Sequence, residues 1–388
     1  MSVEQYIDYL HTNAHAGHET FVEKADQPFA RQSDDVKTVA LYLPQFHPFP
    51  ENDINWETGF VEWLRVARTV PQFTGHFQPR MPIEYGYYDL RQPSIFEQQV
   101  ALAKHYGIYG FCFYYYWFSG KRLMDGPIMD YLNRQDLDLP FMFCWANESW
   151  IRNWDGVTGE VLQEQNLTPT DPELFYRDIE PFILDERYIR IDNKPVIMIY
   201  RPDYWPQQST QQMIDTWQEL AIKSGLEGLT IIGGKTGVFS PDDLSDYRLD
   251  RLVEFPPHQF NPADKDLSDR YVYPDFNGKV YDLDDYVNNL PDRQDINSDM
   301  IKALFPSWDN SARVVNGGTI FHTDNPVETY RNWLEKLLKV TYENNSAENR
   351  YLFINAWNEW GEGAHLEPDR RHGYGFLDAT RSVIESLR

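Results

Sequence analysis

From Thr38 onward the chain alternates short, unbroken apolar runs with polar stretches. The runs are Thr38–Leu43, Tyr109–Tyr114, Phe141–Trp145, Val196–Tyr200, Leu229–Ile232, Leu252–Phe255, Ala303–Phe305 and Tyr351–Trp357. Continuous apolar runs of strand length suit a parallel sheet covered on both faces. Helical periodicity fills several of the gaps, at Ile95–His105, Ile128–Arg134, Glu173–Leu184, Gln211–Lys223 and Val327–Tyr342. Strands alternating with helices predict an α/β fold, a single closed (β/α)8 TIM barrel over residues 36–388. A doubly wound open sheet is the alternative, and the fifth and sixth crossovers read as loop-rich. Residues 1–35 are polar, with one helical turn near Val3–Leu10, and are expected to form a short N-terminal extension packed on the barrel. No linker composition and no solenoid repeat divides the rest.

The last run leads directly into Asn358-Glu359-Trp360-Gly361-Glu362, two carboxylates three residues apart among aromatics and glycines. A barrel gathers the C-terminal ends of its strands at one mouth, where catalytic groups sit. The other runs also end in polar or aromatic residues: Gln45 and His47, then Tyr115 and Trp117, then Asn147, Glu148 and Trp150, then Glu254 and His258, then Trp308 and Asp309. Carboxylates among aromatics suit a glycan, whose C–H faces stack on rings and whose hydroxyls bond to carboxylates and amides. Crowding should raise the carboxyl pKa values, so that one group stays protonated as a general acid. Glu362 is expected as acid/base, with Glu359 as base or nucleophile. Tyr115, Trp117, Trp150 and Trp308 are candidate stacking surfaces. Asn147, Glu148, Asp309 and Asn358 are candidate hydroxyl-binding groups. Gln45 reads as a substrate-binding residue, and His47 and His258 read as polar wall or substrate-positioning residues rather than metal ligands. Glu254 reads as either a site residue or a buried paired acid, and Glu367 as a loop or capping residue.

The net charge of −25 disfavours nucleic acid, anionic membrane surfaces and polyanionic substrates. A neutral oligosaccharide or polysaccharide is compatible with it. Aromatics at 15% of residues exceed core needs and suggest aromatic cleft walls. Cys112 and Cys144 lie within apolar runs, and they read as buried thiols in a reducing compartment. No zinc spacing surrounds them, and neither metal nor cofactor is implied. The start of the chain shows no leader and no run is long enough to span a membrane, so a cytoplasmic location is expected. Oligomeric state is not legible. Gly233-Gly234-Lys235-Thr236 ends like a phosphate loop, but Leu229 stands where its leading glycine belongs and Pro241 follows. Asp136-Leu137-Asp138 resembles a transferase metal pair but precedes a strand.

Several long motifs occur in order: Tyr42-Leu43-Pro44-Gln45-Phe46-His47-Pro48, Gly59-Phe60-Val61-Glu62-Trp63, Gly110 to Phe118, Cys144 to Trp150, Pro306 to Asn310 and Trp357 to Pro368. Together they resemble the WbsX family, also called the glycoside hydrolase family 99-like domain, over roughly Val36 to Arg388. The resemblance implies a (β/α)8 barrel encoded near bacterial O-antigen or capsule genes, long labelled glycosyltransferase. It also implies similarity to retaining endo-α-mannosidases, whose Asn-Glu-Trp-x-Glu motif carries both catalytic acids. On that pattern Glu359 would deprotonate the sugar 2-hydroxyl, giving a 1,2-anhydro sugar, and Glu362 would protonate the leaving group. Gly361 stands where those hydrolases usually carry His. The expected activity is cleavage or transfer of a glycosidic bond. The alternatives are a nucleotide-sugar glycosyltransferase and a non-catalytic glycan-binding or assembly protein.

Overall fold

The computed structural model describes residues 2–15, 20–152, 159–237, 239–258, 260, 262–270, 272–273, 275–290, 299–314 and 317–388. Eight parallel strands form its centre: β1 (Lys37–Tyr42), β2 (Gly110–Phe118), β3 (Phe141–Trp145), β4 (Lys194–Ile199), β5 (Thr230–Lys235), β6 (Arg251–Glu254), β7 (Met300–Leu304) and β8 (Tyr351–Ile354). Each predicted run forms its strand, displaced only at the ends. β1 pairs with β2 on one side and β8 on the other, so the sheet closes into a (β/α)8 barrel and the open-sheet alternative falls. Val39 lies opposite both Gly110 and Phe353.

The strands read as continuous apolar runs because both faces are covered. β1 from Thr38, and all of β3 and β8, are buried at every residue. The outer layer comprises α2 (Pro93–His105), α3 (Gly126–Asn133), α4 (Asp171–Ile183), α5 (Gln207–Lys223), α6 (Pro326–Asn344) and α7 (Gly375–Ser386), after an N-terminal helix α1 (Val3–His15). Pro93, Pro127, Pro172 and Pro326 sit in the first two helical positions, where a missing N–H costs nothing. The fifth crossover is one 3-10 turn, Leu244–Tyr247, and the sixth carries a short helix, Leu283–Asn288, which is why helical periodicity was weak there. α7 was not anticipated.

Both cysteines are buried thiols. Among the described residues, no helix is long and apolar enough to cross a membrane. The Gly-Gly-Lys segment is not a phosphate loop. Gly233 and Gly234 belong to β5, and a side chain at Gly234 would meet the Tyr200 carbonyl at 2.6 Å.

Candidate functional site

At the C-terminal ends of the strands lies a cavity of about 230 Å³. β2 contributes Tyr114, Tyr116 and Phe118. The segment after β3 contributes Glu148 and Trp150, and Tyr200 follows β4. Phe255 and His258 follow β6, Trp308 and Arg313 follow β7, and Asn355, Glu359 and Glu362 follow β8. A larger cavity of about 660 Å³ opens at the other end of the barrel, beside Tyr109 and Pro140, where barrels carry stability rather than chemistry.

Beyond β8 the chain folds back at once. Asn358–Glu359 pairs antiparallel with Ala364–His365, and the turn Trp360–Glu362 between them closes on Gly363 at φ 62°. This hairpin sets both carboxylates on one guanidinium. Arg313 Nη2 donates to Glu359 Oε2 at 2.7 Å, and Nη1 donates to Glu362 Oε1 at 2.5 Å. Its Nε donates to Glu62 Oε1 at 2.6 Å. Three carboxylates thus share one cation. The Glu62, Glu359 and Glu362 side chains are 3%, 7% and 18% exposed, so Glu362 is the most accessible of the three.

Burial raises the pKa of both Glu359 and Glu362. Arg313 opposes the rise, and neighbouring carboxylates reinforce it: Glu362 and Glu62 for Glu359, Glu62 for Glu362. Burial, more than the crowding expected from the sequence, is the main cause. Arg313 itself is raised well above the usual value: its own burial opposes this, and the three carboxylates outweigh it.

The cavity gathers Glu148, Trp150, His258, Trp308, Glu359 and Glu362 from the sequence-predicted set. Glu148 accepts from Arg201 Nη1 at 2.7 Å, and burial raises its carboxyl pKa. His258 Nε2 lies 3.0 Å from the Tyr200 hydroxyl.

The other predicted residues lie elsewhere. Tyr115 and Trp117 face the helices: Tyr115 stacks on Phe143 at 4.6 Å, and Trp117 meets Phe175 of α4 edge-on at 5.3 Å. Strand side chains alternate, so the mouth receives Tyr114, Tyr116 and Phe118 instead. Asn147 joins the ends of β3 and β4 by accepting from Arg201 N and donating to Arg201 O, both at 2.8 Å. Asn358 clasps Leu43 in the same way, accepting from its N at 2.7 Å and donating to its O at 3.0 Å. Glu254 is the paired acid of its two readings, held by Lys302 Nζ at 2.6 Å. Gln45 and His47 do not line the cavity. Nor does Asp309. It is bound by His76 Nε2 at 2.7 Å and Gln78 Nε2 at 2.9 Å, and it caps the turn that leads to Arg313 by accepting from Ser311 N. Burial pushes its carboxyl up, but His76 and then Arg80 outweigh that and hold it well below the usual range.

Glu367 lies in a loop, as the sequence reading had it, but not at the surface. It is buried and accepts from Trp360 Nε1 at 2.7 Å, Gln99 Nε2 at 2.7 Å, Tyr88 hydroxyl at 3.0 Å and Trp357 Nε1 at 3.1 Å. Burial still pushes its pKa up to about 7 against these donors. Glu367→Ala should cost about 2–3 kcal/mol in urea unfolding, because several buried donors lose their acceptor at once. A midpoint equal to wild type would show that water replaces the carboxylate.

Sequence reading missed Arg313, Asn355 and the roles of Tyr114, Tyr116 and Tyr200. The signal for Arg313 was its place just after the Pro306–Asn310 motif.

A family model described as Glycosyltransferase WbsX matches residues 38–380. The Xanthomonas campestris pv. campestris (strain B100) protein described as "Uncharacterized protein WxcX" is 40% identical over 348 residues, 89% of this chain and 49% of its own length. The chain therefore spans about half the length of the curated relatives it matches. Among solved structures, a "Glycoside hydrolase-like protein" aligns at TM-score 0.55 and 17% identity, over 94% of this chain and 98% of its own. A GH99 endo-alpha-mannosidase from Bacteroides thetaiotaomicron, in complex with bis-tris-propane, aligns at TM-score 0.56 and 12% identity, over 92% and 98%. At these identities the structural likeness establishes the fold.

Proposed function

The chain belongs to the WbsX family, and from that premise we propose that it cleaves or transfers a glycosidic bond in a bacterial polysaccharide or in an O-antigen or capsule precursor. The observation that carries the reading is the Glu359/Glu362 pair on Arg313, at the floor of an aromatic-walled cavity. Glu362, the more accessible acid, protonates the leaving-group oxygen. Glu359 takes the proton of the sugar 2-hydroxyl. Its oxygen attacks C1 as the C1–O bond breaks, giving a 1,2-anhydro sugar. Water, or an acceptor hydroxyl, then attacks C1 and gives its proton to the Glu362 carboxylate, while Glu359 returns its proton to O2. Both acids regain their starting states.

Among the described residues, the buried Asn355 Oδ1 and Trp308 Nε1, on two residues that line the cavity, have no hydrogen-bond partner. They suit a sugar hydroxyl as donor and as acceptor respectively. Trp150, which also packs on Phe49 at 6.2 Å, offers a stacking face. Trp150→Ala should raise KM about tenfold with kcat little changed, since stacking binds ground and transition states alike. Steady-state kinetics on an active oligosaccharide would show the split, and an equal fall in kcat would place Trp150 in the chemistry instead. A cytoplasmic site of action suits trimming of precursors better than degradation of finished polymer.

The deciding experiment is mass spectrometry of products. Wild type and Glu362→Gln would each meet glycans from the source organism and α-mannan oligosaccharides, without nucleotide sugar. Shortened glycans with wild type alone support the reading, and an added acceptor then tests transfer. No cleavage of any glycan favours the second reading, a nucleotide-sugar transferase, which the description of the family model supports. Binding of UDP, GDP or dTDP sugars in a thermal-shift panel would separate that reading from a glycan-binding protein.

A further inference from the structure

We propose that Glu62 is a positioning residue for this site: it reaches the Arg313 guanidinium through the gap left by Gly361 and sets how much of that cation's charge the Glu359/Glu362 pair receives. The inference rests on the proposed function for its catalytic meaning, but its electrostatic content stands by itself.

Glu62 immediately precedes the short helix Trp63–Ala67, in the long connection between β1 and α2. It does not line the cavity, and besides its direct repulsion of the pair it acts on it through another group. That group is Arg313, whose Nε it holds while the two terminal nitrogens hold the pair. The approach is made possible by a glycine. A Cβ at Gly361 would lie 1.9 Å from Glu62 Oε1 and 2.9 Å from Arg313 Nε. Gly361 does not have a left-handed φ, so its backbone would accept other residues. What excludes a side chain there is the carboxylate of Glu62. Glu62, Gly361 and Arg313 therefore form one unit, assembled from three distant parts of the chain.

A buried ion pair is weak evidence of a stabilising role. One cation facing three carboxyl groups is weaker still, because it cannot neutralise all three when they ionise. The arrangement does tune charge. Each carboxylate competes for the same guanidinium, so a negative Glu62 withholds attraction from the pair and adds repulsion to it. Other groups facing the pair are Tyr114 and Tyr116 of β2 and Tyr200 after β4. Burial raises these phenols, so they stay neutral at working pH. Glu148 bears on Tyr200 and is itself tied to Arg201, and burial lowers the His258 pKa and keeps its ring neutral. Arg313 and Glu62 are thus the charged groups that dominate the pair's surroundings.

The test needs no substrate. The purified full chain, labelled with ¹³C at the glutamate side-chain carboxyl, is titrated by NMR. The Glu359 and Glu362 signals are identified by their loss in Glu359→Gln and Glu362→Gln. In Glu62→Gln the apparent midpoints of the pair should fall by about one pH unit, a tenfold rise in acid dissociation. Glu62→Asp, which keeps the charge but shortens the reach, should fall between. Gly361→Ala, which pushes Glu62 off Nε, should lower the midpoints with Glu62 still present, and serves if Glu62→Gln does not fold. Midpoints within about 0.2 unit of wild type in a folded variant would overturn the proposal. If the midpoints shift but no glycan is cleaved, the Glu62 device stands and the glycosidase reading falls. Where cleavage is established, Glu62→Gln should move the pH optimum of kcat to lower pH with KM little changed.

Discussion

Glu362→Gln is expected to lower glycosidic bond cleavage by about 10³-fold while making the protein harder to melt. Loss of a positioned general acid costs roughly 10²–10⁴ in rate, and Glu362 is the most exposed of the three, Glu62, Glu359 and Glu362, that bond to Arg313. The amide keeps an oxygen to accept from Arg313 Nη1, so the hairpin holds its shape. It also removes a buried carboxyl whose charged form burial and the neighbouring Glu62 disfavour. The gain should be roughly 1 kcal/mol, a few degrees in Tm. Its pH dependence has a definite sign. The folded-state pKa of Glu362 is raised above its ordinary 4.5, so the wild type loses stability as pH climbs above that value. The variant has no such loss, and its advantage should widen from pH 5 to pH 8. Turnover equal to wild type would remove Glu362 from the chemistry, and a lower Tm would mean that its charge is needed by Arg313.

Arg313→Met should be the most destabilising single change in the site. It leaves Glu62, Glu359 and Glu362 buried without their shared cation, and breaking a buried pair from one side costs about 3–5 kcal/mol. The Glu359 and Glu362 pKa values would then rise further, so the folded variant would bind protons the unfolded chain does not. Its deficit in urea unfolding should be full at pH 8 and shrink on acidification toward pH 4.5. A deficit independent of pH would mean that lost packing, not lost charge, is responsible. Arg313→Lys should recover little, because a single ammonium cannot present three nitrogens in a fixed plane to three carboxylates.

Much of the barrel was legible because a parallel strand covered on both faces leaves an apolar run that needs no partner to be noticed. The place of the paired carboxylates was legible for a similar reason, since an apolar run leads to them, but the hairpin that carries them read only as a loop. The facing of β2 was not. Gly110–Phe118 is aromatic on both sides, so composition gave no parity, and a one-residue choice exchanged Tyr114 and Tyr116 for Tyr115 and Trp117. Asn147 and Asn358 lie at strand ends as predicted, but such ends also need backbone groups satisfied, and both amides serve that need. Arg313 was hidden for a different reason. It follows a 3-10 turn with no apolar period, and its partners stand 251, 46 and 49 positions away. Glu62 was visible within a motif, but nothing local connected it to residue 361.

The clasp between Asn358 and Leu43 has a consequence for when the protein becomes competent. These residues are 315 positions apart, and β8 takes its place only by joining β7 to β1. During synthesis the first seven strands can leave the ribosome and begin to pack while the ring is still open. Glu359 and Glu362 emerge after all of them, from the segment that completes the ring. The acid pair is therefore made after all eight strands and set in place by the same event that seals the barrel. A nascent chain stopped before β8 holds Arg313 and Glu62 but no Glu359/Glu362 pair for the guanidinium to grip.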